Sequence, residues 1–109
     1  MKRGEIWTQS GGSGYAGKPR PALIVQSDLL ADTDSVITCL FTAHGSLAIP
    51  SRVTFADNAA NGLHEQSDLM ADKIMAVSRN KLGRRIGALT DEDMAKVEQA
   101  LLLVLGFEG

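Results

Sequence analysis

Arg20 stands between two prolines in the run Lys18-Pro19-Arg20-Pro21. Proline fixes its own φ and biases the residue before it toward extended backbone, so a cation in this setting is held in place. A guanidinium mounted this way can serve a structural ion pair, or its planar fork can hold a phosphate. The glycines just before it raise a nucleotide question. Gly12, Gly14 and Gly17 fit a G-x-G-x-x-G dinucleotide signature, and Gly12 through Lys18 fit most of a G-x-x-x-x-G-K phosphate loop. Both signatures work only where the loop feeds a helix whose free N–H groups and positive end grip the phosphate. Here Pro19 takes the place of the hydroxyl residue that would hold magnesium, Pro21 removes another amide donor, and PALIVQS (21–27) reads as a strand. The loop is therefore expected to connect two antiparallel strands, and both glycine matches are coincidences of composition.

Other chemistry-bearing residues are few. Cys39 is the one cysteine, and its surroundings (VITCLF) read as a buried strand in which a thiol packs rather than reacts. With one cysteine, two histidines and no cluster at ligand spacing, neither a metal site nor a cofactor is expected. His44 lies two residues beyond Thr42 and shares its strand face if the strand continues; otherwise it is an exposed loop histidine. His64 falls in a turn.

The elements that must position these residues are short. GEIWTQ (4–9), PALIVQS (21–27), SVITCLFT (35–42) and SRVTF (51–55) read as strands, followed by Leu69–Ala71, Ile74–Ser78 and RRIGAL (84–89). SVITCLFT is apolar on both alternating faces, which marks a central strand. Turn chemistry at Asp32, Asp34, Gly45, Asp57 through Gly62, and Asn80 to Gly83 separates them. Many short strands with such punctuation suggest a small barrel or sandwich. One helix closes the chain: Thr90 is the N-cap candidate, Asp91 to Asp93 complement its positive end, and Gly106 is the stop. Met94, Val97, Leu101, Val104 and Leu105 follow the helical spacing and are expected to pack on the sheet.

The 109 residues suit one domain, 1–109, with ordinary apolar (44%) and charged (22%) fractions. No window approaches the ~20 apolar residues of a membrane span, and a cytoplasmic protein is expected. The net charge of −2 argues against a protein that coats nucleic acid, yet the charge is patterned. Residues 1–20 carry +3 and residues 73–85 carry +5, against −6 over 21–72 and −4 over 86–109. Brought together in space, the two basic stretches would form an anion site.

Taken in order, these segments resemble the MazF/PemK toxins, ribosome-independent endoribonucleases of toxin-antitoxin pairs. RGEIW (3–7), GSGYAGKPRPALIVQSD (12–28), ITCLFTAH (37–44), IPSRVTF (49–55), LMADKIMAVSRNKL (69–82) and the closing helix all fall in the family's order. The resemblance implies a mainly β (α+β) fold, a small SH3-like β-barrel with a C-terminal α-helix. It also implies a homodimer that cuts single-stranded RNA without a metal, with a cognate antitoxin as partner. Matched by motif, Arg20 corresponds to the family's catalytic arginine and Thr42 to its catalytic threonine. Many relatives carry an acidic residue where this chain has Gly14 and Tyr15, and this chain has one extra residue before the arginine.

The chemistry suits those residue types. RNA carries its own nucleophile, the 2'-hydroxyl, whose attack on the adjacent phosphorus leaves a 2',3'-cyclic phosphate and a 5'-hydroxyl. A guanidinium neutralises charge on the pentavalent phosphorus and a threonine hydroxyl fixes a phosphate oxygen. For RNA binding, Tyr15 could stack on a base. Lys18, Arg52, Lys73 and Arg79 could reach the backbone, and Ser13 and Asp72 the base edges; His44 joins them beside Thr42. The competing expectations are a non-catalytic gyrase poison of the same fold, as in the related CcdB proteins, and a plain SH3-like peptide-binding module. The last is the weakest, because aromatics are 5% of the chain and fall mostly in strands.

Overall fold

A computed structural model describes residues 1–10, 18–45 and 49–107. Its strands, all paired antiparallel, are β1 (Glu5–Gln9), β2 (Arg20–Ile24), β3 (Ser35–Ala43), β4 (Arg52–Phe55), β5 (Ser67–Met70), β6 (Met75–Ser78) and β7 (Leu82–Ala88), followed by α1 (Asp91–Leu105). The pairing order is β4-β5-β3-β2-β1-β7. β6 pairs with the first half of β3 and β5 with its second half. β3 is thus the central strand, bordered by β2 on one edge and by two short strands on the other. The expected barrel is not closed: β4 and β7 end the path without pairing to each other among the described residues.

Alternation along the strands separates two faces. Leu23, Cys39, Phe41, Phe55 and Leu69 turn inward onto Ile6 and the helix residues Met94 and Val97, forming the main core. Full burial of an aliphatic or aromatic side chain contributes about 2 kcal/mol, so this cluster dominates the stability of the sheet. Residues one position away on each strand face the other side. There Ile24, Val36 and Leu82 form a second small cluster with Trp7 and Val77 against it, and buried Thr38 donates to Gln9 at 2.8 Å.

The helix starts and stops where its end residues dictate. Thr90 Oγ1 accepts from the Asp93 amide at 3.1 Å. Gly106 takes φ +79, and Phe107 N bonds back to Leu102 O at 2.8 Å, closing a Schellman turn. Leu105, expected to pack on the sheet, is instead 56% exposed beside Leu103 and Phe107. The helix residues that join the main core run only from Met94 to Leu101, so the last turn projects past it.

A tight loop joins β4 to β5. Asn58 and Asn61 each accept the other's amide proton, and Ala60 O receives the Ala88 amide at 2.9 Å. Gly62 sits at φ +70, and a Cβ there would lie 2.0 Å from Ile86 O; one on Gly87 would lie 2.3 Å from Asn61 O. Only glycines let the loop lie this close to β7.

Candidate active site

β2 and β3 pair with Ala22 opposite Leu40 and Ile24 opposite Thr38. Two more residues along that register set Arg20 opposite Thr42, on the face away from α1. The side chains meet there, Arg20 Nη2 donating to Thr42 Oγ1 at 3.4 Å. This is a long hydrogen bond, easily exchanged for one to a phosphate oxygen. The same row extends across the sheet. Gln9 of β1 lies opposite Arg20, Thr42 opposite Asp68 of β5, and Asp68 opposite Thr54 of β4. Polar side chains therefore cross five strands in one line, with Arg20 and Thr42 at its centre.

Lys18 and Arg20 form the wall between two clefts. The larger, about 480 Å³, is edged by Lys18, Arg20, Lys73 and Lys81, with Gln9 and Leu40 also lining it; among the described residues no carboxylate lines it. The two basic stretches of the sequence do meet, and they meet at Arg20. The smaller cleft, about 270 Å³, brings Arg20 and Thr42 together with His64 and Glu65 from the loop before β5.

His44 stays in register beyond the end of β3, because its amide donates to Gln66 O at 3.1 Å and prolongs the pairing with β5. Its Nδ1 lies 2.7 Å from Asp68 Oδ1, and Thr54 Oγ1 donates to the same oxygen at 2.7 Å. Asp68 is 3% exposed. Burial works against its ionisation, but hydrogen bonds from Thr54, His44 and the Gly45 amide outweigh that cost and hold the carboxyl below the usual aspartate range. Cys39 behaves oppositely: burial, with the charge of Asp72 adding to it, pushes its thiol up to about 12. A thiol in that state is packing, not a nucleophile.

Residues 2–105 match the family described as PemK-like, MazF-like toxins of type II toxin-antitoxin systems. The chain belongs to that family. A "Probable endoribonuclease MazF" of Mycolicibacterium smegmatis is 40% identical over 109 residues, the whole of both chains. Among solved structures, an endoribonuclease in complex with its cognate antitoxin from a mycobacterial species superposes with a TM-score of 0.82 at 25% identity, covering 100% of this chain and 98% of that one. The Mycobacterium tuberculosis toxin MazF-mt6 shares the fold at a TM-score of 0.82 and 21% identity, covering 96% and 99%.

Of the remaining residues expected at the site of this MazF-like toxin, Lys18 and Lys73 border the large cleft with Arg20. Arg52 and Asp72 lie on the same side of the sheet but are committed to each other, Arg52 Nε standing 3.6 Å from Asp72 Oδ1. Arg79 is turned to structural use: its Nε donates to Thr33 O at 2.6 Å and its Nη2 to Ala31 O, tying the turn before β3 to the turn after β6. Ser13 and Tyr15 lie outside the described residues. Lys81, Gln9, His64, Glu65 and Asp68 were not anticipated at the site. Lys81 belongs to the basic stretch visible in the sequence, whereas the other four carry no local signal and are placed by strand register and by the β4–β5 loop.

Proposed function

We propose that this chain, as a single toxin domain spanning 1–109, cleaves single-stranded RNA at the phosphodiester held between Arg20 and Thr42. A MazF-like toxin is an endoribonuclease; the finer reading concerns how these residues act. The guanidinium of Arg20 neutralises charge that develops on the phosphorane, and the Thr42 hydroxyl donates to a non-bridging oxygen. The substrate's own 2'-hydroxyl attacks phosphorus and the P–O5' bond breaks, leaving a 2',3'-cyclic phosphate and a 5'-hydroxyl. Because protein cations supply the charge neutralisation, this route needs no metal. Lys18, Lys73 and Lys81 take neighbouring phosphates, so binding weakens as salt rises.

The observation that carries this reading is the contact of Arg20 with Thr42 at the border of a cleft whose charged lining residues, among those described, are all cations. Proteins of the family act in toxin-antitoxin pairs, and one structural relative is described with its cognate antitoxin. The partner that fits here is an antitoxin whose acidic, partly disordered segment covers the Lys18–Lys81 cleft and blocks RNA. A homodimer working in the cytoplasm, where mRNA cleavage arrests growth, completes the proposal.

The test is incubation of the purified chain with a long mixed-sequence RNA in excess EDTA, with analysis of the fragment ends. Cleavage with cyclic phosphate and 5'-hydroxyl ends is expected. Intact RNA under these conditions, or fragments ending in 5'-phosphate, would overturn it. So would growth arrest that survives Arg20→Ala together with Thr42→Ala, which would instead indicate a non-catalytic poison.

A further inference from the structure

We infer that His44 is the proton acceptor for the attacking 2'-hydroxyl and that Asp68, with Thr54, is the positioning residue that holds it in the competent tautomer. This rests on the nuclease reading of the Arg20–Thr42 pair and adds what that pair lacks. An arginine and a threonine can stabilise a phosphorane, but neither takes up a proton near neutral pH.

The argument begins with register. Asp68 stands directly opposite Thr42. His44 follows Thr42 by one strand repeat on the same face, held there by its amide bond to Gln66. The imidazole is thus a near neighbour of the Arg20–Thr42 contact. Asp68 is buried and ionised and can only accept, so Nδ1, 2.7 Å away, must carry a proton. That leaves the lone pair on Nε2. A ring 40% exposed can present this lone pair to a substrate while its other edge is fixed. Thr54 Oγ1 donates to Asp68 Oδ1 at 2.7 Å and the Gly45 amide contacts Oδ2 at 3.4 Å, so the carboxylate cannot swing away.

The step balances without a further reagent. The 2'-hydroxyl proton passes to His44 Nε2 as the 2'-oxygen bonds phosphorus. The P–O5' bond breaks with its electron pair on the 5'-oxygen, which takes a proton from water. The imidazolium that forms is stabilised by Asp68 and returns its proton to solvent after release. The charged or titratable groups arranged around His44 are Asp68 on β5, Arg20 across Thr42, Arg52 further along β4, and His64 and Glu65 in the loop before β5. Among the described residues, Asp68 is the charged group that bonds the ring, and Thr54 Oγ1 lies 3.4 Å from the same Nδ1.

The experiment is single-turnover cleavage of one RNA oligonucleotide across a pH series by the full chain and its variants. His44→Ala is expected to lose ~10²- to 10⁴-fold in kcat with little change in KM. Added imidazole should restore part of the rate. Asp68→Asn should lower kcat with little change in KM, because the ring loses the carboxylate that fixes its tautomer and orientation. As Asp68 is buried, Thr54→Val supplies a second variant on the exposed side of the pair, expected to lower kcat with retained folding. His44→Ala cleaving at the parental rate while Arg20→Ala is inactive would overturn this inference and leave the nuclease reading standing. A folded parent that cleaves nothing would overturn both.

Discussion

At the scale of single residues, the legible and the illegible parts of the site differ for a physical reason. Arg20 announces itself because prolines on both sides are a local signal, whereas Thr42 is singled out only by the resemblance to the MazF/PemK family. Asp68 sits in the run Glu65-Gln66-Ser67-Asp68, which reads as turn punctuation. Only the antiparallel register, a relation between residues 26 apart, sets it opposite Thr42. Arg79 belongs to the basic stretch, and backbone carbonyls at Ala31 and Thr33 engage its guanidinium. Cys39 packs as its apolar surroundings imply, and its full burial and raised pKa carry a consequence. Iodoacetamide should leave the native protein unmodified at neutral pH and alkylate it fully once urea unfolds it, as mass spectrometry would show. Rapid alkylation of the native form would mean that the strand opens.

At the scale of elements, alternation and turn residues located all seven strands and the helix to within a few positions. β1, β3, β4 and α1 were the clearest, since their apolar periodicity is strong. β5 begins two residues before the apolar run that marks it in the sequence, because Ser67 and Asp68 have poor intrinsic strand preference. Tertiary pairing to Phe55, Ala43, Thr54 and Thr42 overrides that preference. The loop feeding β5 explains the precision of this arrangement and can be perturbed selectively. Gly62→Ala sets a Cβ against Ile86 O at a left-handed φ, and should cost about 3 kcal/mol or more. Thr90→Ala removes only the cap acceptor for Asp93 and should cost about 1 kcal/mol. Urea unfolding of the two variants checks the ranking; equal losses would mean the loop yields to the new methyl group.

At the scale of the whole molecule, the fold converts a charge pattern along the chain into a charge pattern in space. Lys18 and Arg20 precede and open β2, Lys73 and Lys81 flank β6, and β3 separates these strands in the sheet while bringing their cations to one cleft. The helix takes no part in that face: it closes the opposite side over the core and carries acidic residues in its first turn. A rigid, mostly apolar interior thus backs a polar row across five strands, and pre-positioned donors on such a support need little reorganisation at the moment of reaction. The central claim is that Arg20 and Thr42 act on one phosphodiester. Single-turnover cleavage by the parent, Arg20→Ala, Thr42→Ala and the double variant tests it most directly. Groups acting as a unit are not additive: each single change should lower the rate ~10²- to 10³-fold, and the double change no more than about tenfold further. Either single variant cleaving at the parental rate, or losses that multiply in full, would contradict it.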